Sequence, residues 1–227
     1  MKWFLSIYGV LSCAVSWAQA PVTYTIKPGI ELRTVIPASE IYRYPSFTMG
    51  TVVFKDGLTS TGKLNYNALI SEMQFIDAKG DTLALANEQT FRYVLVANDT
   101  FYFSQGYIRI IKGNEKVKFG EKVAFREYVQ KPGAYGLSTA TTATNNLTAI
   151  LDKRSVALDA SQELVVVKNV TWLIGDRFNL FVPADKKNIF KMFPRQKQAI
   201  EEYLKNNEVN FSKEDDLIRL TGFLGGL

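Results

Sequence analysis

The alternation of apolar and polar positions changes character along the chain, and the changes divide it. From Val22 to Gln130 the period is close to two, with turn residues between runs, which is the pattern of half-buried strands. The run at 51–54 leads into the turn Lys55-Asp56-Gly57. The run at 62–67 follows, with Leu64 and Tyr66 on one face and Asn65 and Asn67 on the other. Runs at 73–76 and 82–85 flank the turn residues 77–81, and runs at 91–96 and 100–103 flank Ala97-Asn98-Asp99, a tight hairpin signal. Runs at 107–111 and 123–128 continue the pattern around Gly113 and Gly120. Short strands at this spacing predict a mainly β protein: an antiparallel sheet, curled or packed as a barrel or sandwich.

Residues 131–149 break the pattern. They are small, polar and nearly uncharged, with Gly133, Tyr135 and Gly136 near the start and a Thr/Ala/Asn run after them, so a long mobile loop is expected. Strands resume at 154–158, 164–167, 171–174 and 179–182. The period then becomes helical. Asp185 is placed to cap a helix reaching Phe193, and Pro194 suits the first turn of a second, over 195–206, with Ile200, Tyr203 and Leu204 as its apolar face. Ser212-Lys213-Glu214-Asp215 resembles a capping box and opens a third helix with Leu217, Leu220 and Leu224 inward. A helical tail of two to three short helices over 185–227 therefore closes one domain, residues 19–227.

The N-terminus belongs to another category. Met1-Lys2 and the apolar run through Val15 have the layout of a secretory signal peptide, and no later run has the roughly 20 apolar residues of a membrane-spanning helix. Ser16-Trp17-Ala18 and Ala18-Gln19-Ala20 both fit the small-x-small rule. The second cut would leave Pro21 first, a poor substrate because its ring removes the N–H, so cleavage after Ala18 is expected. The expected address is the periplasm or beyond. The alternative is a lipoprotein anchored through Cys13, since Val10-Leu11-Ser12-Cys13 is a loose lipobox.

Cleavage there changes the available chemistry. It removes the only Cys, two of three Trp and Lys2, leaving 209 of 227 residues with no His, no Cys and 26 basic against 22 acidic side chains, a formal net of +4. Imidazole and thiol catalysis are excluded, and zinc, copper and haem lose their usual ligands. No cofactor and no metal are expected. Carboxylate pairs, Ser/Lys or Tyr chemistry, and oxygen-ligated Ca²⁺ or Mg²⁺ remain open to such a chain. The net charge is too small to demand a nucleic-acid partner, and no recognition motif accompanies it.

Two stretches carry a resemblance. Gly62-Lys63-Leu64-Asn65-Tyr66-Asn67 with Glu72-Met73-Gln74-Phe75-Ile76, and a tail with Phe193-Pro194, Ile200, Tyr203-Leu204-Lys205-Asn206-Asn207, Phe211 and Asp216-Leu217, resemble segments of small uncharacterised secreted or envelope proteins of the Bacteroidota. The resemblance covers scattered positions over about half the chain. It implies a compartment and an architecture, and no activity.

Individual candidates follow from residue type. Asp77, Gly80 and Asp81 hold two carboxylates at a turn, which Ca²⁺ or ordinary hairpin chemistry would both explain. Glu214, Asp215 and Asp216 suit a helix N-terminus. Lys186, Lys187, Lys191, Arg195 and Lys197 form a basic run that a solvated helix face explains and that anionic lipid or glycan would also fit. Phe101-Tyr102-Phe103 is a candidate sugar-stacking platform, although apolar residues on both faces point to a buried central strand. Asn65 and Asn67 read as an outward ladder; if their face is covered, they become buried amides in need of partners and, with Tyr135, candidate ligand-binding residues. The expected function is a non-catalytic binding or assembly module of the cell envelope, with envelope protein or glycan as partner. The alternative is a carboxylate-dependent glycan hydrolase, which needs two carboxylates converging in a cleft.

Overall fold

A computed structural model describes residues 22–27, 29–132, 138–144 and 164–227. The expected signal segment, Tyr135 and the strand expected at 154–158 lie outside the described residues. The alternating runs become β1 (Thr23–Ile26), β2 (Thr48–Phe54), β3 (Thr59–Asn67), β4 (Glu72–Ile76), β5 (Thr82–Ala84), β6 (Phe91–Val96), β7 (Asp99–Phe103), β8 (Tyr107–Gly113), β9 (Val117–Pro132), β10 (Ser138–Thr144), β11 (Leu164–Asp176) and β12 (Phe181–Pro183). They form one antiparallel sheet in the order β1-β11-β9-β8-β7-β6-β2-β3-β4-β5, with β10 beside β9 and β12 beside β11. The protein is mainly β, as its periodicity predicts, and the sheet stays open.

Three local expectations are corrected. Residues 138–144, read as loop, pair as β10 with β9. The runs at 164–167 and 171–174 are one strand, because Lys168, Asn169 and Val170 continue the pairing with β9 instead of interrupting it. Between β1 and β2 the period of two gives way to two helical turns, α1 (Leu32–Val35) and α2 (Ala38–Ile41), which bury Leu32, Ile36 and Ile41.

The sheet is strongly curled. From β9 to β3 is five strand spacings, roughly 24 Å if flat at about 4.8 Å each, yet the Tyr66 hydroxyl on β3 donates to the Val123 carbonyl on β9 at 2.7 Å. The inside of the curl is the larger core, built from Val52, Leu64, Tyr66, Val94, Phe101, Tyr107, Phe125 and Val166 among others. Phe101 faces this core while Tyr102 faces outward, so the Phe101-Tyr102-Phe103 run serves both sides.

The far ends of β9 and β11 hold a second core. Val117, Phe119 and Ile174 pack against the tail helices α3 (Lys186–Met192), α4 (Lys197–Asn206) and α5 (Glu214–Gly226) through Ile189, Ile200, Leu217, Leu220 and Leu224. Asp185 caps α3 by accepting the Asn188 N–H at 2.7 Å. The expected capping box does not form at α5. Its N-cap is Lys213, which makes no side-chain cap, and the Asp216 carboxylate instead accepts the Asn210 N–H at 2.8 Å and pairs with Arg219.

Candidate functional site

Arg109 is the anomaly from which the site is built. It lies in the apolar run of β8, opposite Phe101 on β7 and Glu121 on β9, and therefore on the inner face. A guanidinium there needs partners. Arg109 donates from Nε to Glu121 Oε1 at 2.7 Å and from an η nitrogen to Asp99 Oδ1 at 3.2 Å. Burial opposes its charge, but Glu121 and Asp99 outweigh that and raise its pKa above the ordinary value, so it stays ionised. Asp99 opens β7 just after the hairpin turn, where Ala97 takes the left-handed backbone (φ 51°).

The segment after α2 completes the network. The Tyr44 hydroxyl lies 2.7 Å from Asp99 Oδ2 and 3.1 Å from the Val96 carbonyl, with one proton to donate between them. Burial, and after it Asp99, pushes the Tyr44 hydroxyl far above its ordinary pKa, so the proton stays. Arg43 approaches Asp99 at 3.4 Å. Across the opening, Lys168 on β11 pairs with Glu40 on α2 at 2.7 Å.

Glu40, Arg43, Arg109, Glu121 and Lys168 line a cavity of about 90 Å³ together with the rings of Tyr66, Phe101 and Tyr107. Burial pushes the Tyr66 hydroxyl up to about 12, against a lowering contact from Ser71 and with a raising one from Glu121, which keeps it protonated as the donor to Val123. The Tyr107 hydroxyl is buried and makes no hydrogen bond among the described residues. Burial raises its pKa first, and Glu88, Tyr66 and Glu72 add to it.

The residues singled out from sequence fall beside this site, not in it. All four of Leu64, Asn65, Tyr66 and Asn67 are buried, so the outward ladder is wrong. The amides are occupied by the chain itself. Asn65 accepts the Tyr44 N–H at 3.1 Å and donates to its carbonyl at 2.9 Å, acting as a strand neighbour that holds Tyr44 where its hydroxyl reaches Asp99. Asn67 accepts the N–H groups of Leu69 and Ile70 and donates to Gln74. Both amides thus have partners within the chain. At the other turn, Asp77 Oδ1 accepts the N–H groups of Lys79 and Asp81, each at 2.8 Å, which is hairpin chemistry.

Sequence reading missed Glu40, Arg43, Asp99, Arg109, Glu121 and Lys168. One signal was available: a lone Arg inside the apolar run at 107–111. Its partners were hidden by separation along the chain, 128 residues in the case of Glu40 and Lys168. Comparison with protein-family models, curated proteins and solved structures returned no match.

Proposed function

We propose that the chain is an exported, non-catalytic binding or assembly module of the cell envelope that takes a small ligand at the cavity between the curl and α2. The N-terminal pattern through Val15 and the resemblance to Bacteroidota envelope proteins support the address. One observation carries the preference for binding over hydrolysis: both carboxylates at the cavity, Glu40 and Glu121, are committed to cations at 2.7 Å. A glycosidase needs one carboxyl to keep its proton and a second to attack or activate water. A carboxylate held by a cation stays ionised, so neither Glu40 nor Glu121 is the protonated acid that such a pair requires, whereas aromatic rings beside paired polar groups are the usual composition of a ligand pocket.

The test joins turnover to binding. The full exported chain is assayed against chromogenic glycosides, and the protein purified from its native envelope is analysed by native mass spectrometry. We expect no turnover and a small ligand retained by the native protein but lost in Glu121→Gln. Glycoside hydrolysis abolished by Glu40→Gln or Glu121→Gln would establish the hydrolase instead.

A further inference from the structure

The outer face of the sheet carries a row of rings that neither core uses. Tyr93 on β6, Tyr102 on β7 and Phe181 on β12 follow one another with centroids 6.0 and 5.7 Å apart, and all three are partly exposed. From β7 to β12 is four strand spacings, roughly 19 Å if flat at about 4.8 Å each. Contact between Tyr102 and Phe181 therefore means that the outer face is folded into a trough here, at the opposite end of the long strands from the inner curl. Gly175 makes this geometry available, since a Cβ on it would stand 2.6 Å from the Phe181 ring.

Two features give the trough chemistry beyond apolar surface. The hydroxyls of Tyr93 and Tyr102 make no hydrogen bond to protein among the described residues, so both are free to donate and accept. The Lys118 ammonium lies 5.7 Å from the centre of the Tyr102 ring, with Gly113 and Gly175 as its neighbours on the flanking strands. No carboxylate pairs with it among the described residues, and burial lowers its pKa against the pull of Asp176 and Glu115. It is a partly desolvated cation without a direct counter-ion.

We propose that this trough binds a carbohydrate chain bearing acidic groups, with sugar rings stacked on Tyr102 and Phe181 and one anionic group of the chain at Lys118. Stacking uses the apolar faces of the sugar rings, the phenol hydroxyls meet sugar hydroxyls, and the anion supplies what Lys118 lacks. A single-stranded nucleic acid also stacks on rings, but it requires a track of cations along its backbone. Here the cations form no such track: Lys118 is offset by Asp176 and Glu115, the Arg177 guanidinium lies over the Phe178 ring, and Arg92 acts on Tyr102 only through its charge. Phe178 and Leu180, each 66% exposed on the adjoining turn, extend the apolar surface. Asp176 Oδ1 holds that turn rigid by accepting their two N–H groups at 2.8 and 2.9 Å.

The experiment is calorimetric titration of the full exported chain with polygalacturonate, dextran of matched length, poly(dT) and anionic phospholipid vesicles. We expect polygalacturonate to bind, dextran to bind at least about tenfold more weakly, and affinity for polygalacturonate to fall about tenfold in Lys118→Gln and in Tyr102→Ala. Tyr102→Phe, which keeps the packing, should lose a few-fold, and the charge-matched Lys55→Gln in the β2–β3 turn should lose nothing. Absence of polygalacturonate binding, equal affinity for dextran, indifference to both Lys118→Gln and Tyr102→Phe, or preference for poly(dT) or vesicles would each overturn the proposal.

Discussion

Asp99→Ala removes a carboxylate that three side chains share, and its cost can be worked out contact by contact. Arg43 contributes little: it is 41% exposed and 3.4 Å away, and exposed pairs are worth about 0–1 kcal/mol. Arg109 matters more. Both it and Asp99 are 18% exposed, and a hydrogen bond to a charged group in such a setting is worth about 1.5–3 kcal/mol. The larger penalty of stranding a buried charge does not apply, because Arg109 keeps Glu121. Tyr44 recovers part of its loss by turning its proton to the Val96 carbonyl, already 3.1 Å away. The sum is a destabilisation of about 2–4 kcal/mol. Glu40→Gln is the control, since the Glu40–Lys168 pair is 31% and 25% exposed and should cost less than about 1 kcal/mol. Urea unfolding reads both as shifts of midpoint at constant slope. If Asp99→Ala costs no more than Glu40→Gln, the network does not hold the curl and the reasoning fails.

Four further outcomes are expected. Leu217→Ala, at a side chain 2% exposed in the second core, should cost about 2–5 kcal/mol; an unchanged melting temperature would mean that the tail contributes nothing to the sheet's stability. Tyr107→Phe should leave stability unchanged or raise it by up to about 1–3 kcal/mol, because it deletes a buried hydroxyl without a partner; a clear loss would show that a bound water holds it. Tyr44, Tyr66 and Tyr107 hold their protons more tightly folded than unfolded, so stability should be complete below pH 10 and fall above it, by about 1.4 kcal/mol per pH unit for each. Ultraviolet titration checks this: ionisation of Tyr44, Tyr66 and Tyr107 near pH 10 along with the other tyrosines, with the fold intact, would contradict it. Intact mass of the protein purified from its native cells should correspond to cleavage after Ala18; an uncleaved chain would contradict export by this signal, and a diacylglyceryl group on Cys13 would make it a lipoprotein instead.

What the sequence revealed depended on the range of the interactions. Strands and tail helices are local statements, and period two and period 3.6 announced them, down to Asp185 as a cap and Leu217, Leu220 and Leu224 as a buried stripe. The β11 strand was split in reading because Lys168, Asn169 and Val170 look like an interruption; a strand crossing from one core to another passes through such a stretch. The site was not legible. Its charges come from α2, the segment before β2, β7, β8, β9 and β11, and only the curl brings them together. For Asn65 and Asn67 the alternation favours an outward ladder and leaves buried amides as the alternative; the structure shows buried amides, whose partners, Tyr44 and the turn at 69–70, lie outside any local pattern.

An open sheet curled this tightly has a problem that a barrel avoids. In a barrel, the last strand's hydrogen bonds to the first fix the curvature; among the described residues no such seam exists, and the curvature is held by contacts across the interior. The apolar core resists expansion but is indifferent to sliding, because burial has no direction. Hydrogen bonds and ion pairs do have direction. The Tyr66–Val123 bond ties β3 to β9, Tyr44–Asp99–Arg109–Glu121 ties the segment before β2 to three strands, and Lys168–Glu40 ties β11 to α2. These fasteners surround the cavity, so the space exists because polar groups that must meet cannot fill the volume that apolar side chains would. A ligand entering there would contact the elements that set the curl, and its binding energy would add to theirs. Ligand binding should therefore raise stability toward unfolding, by mass action, and also reduce hydrogen exchange in β3, β8 and β9 together.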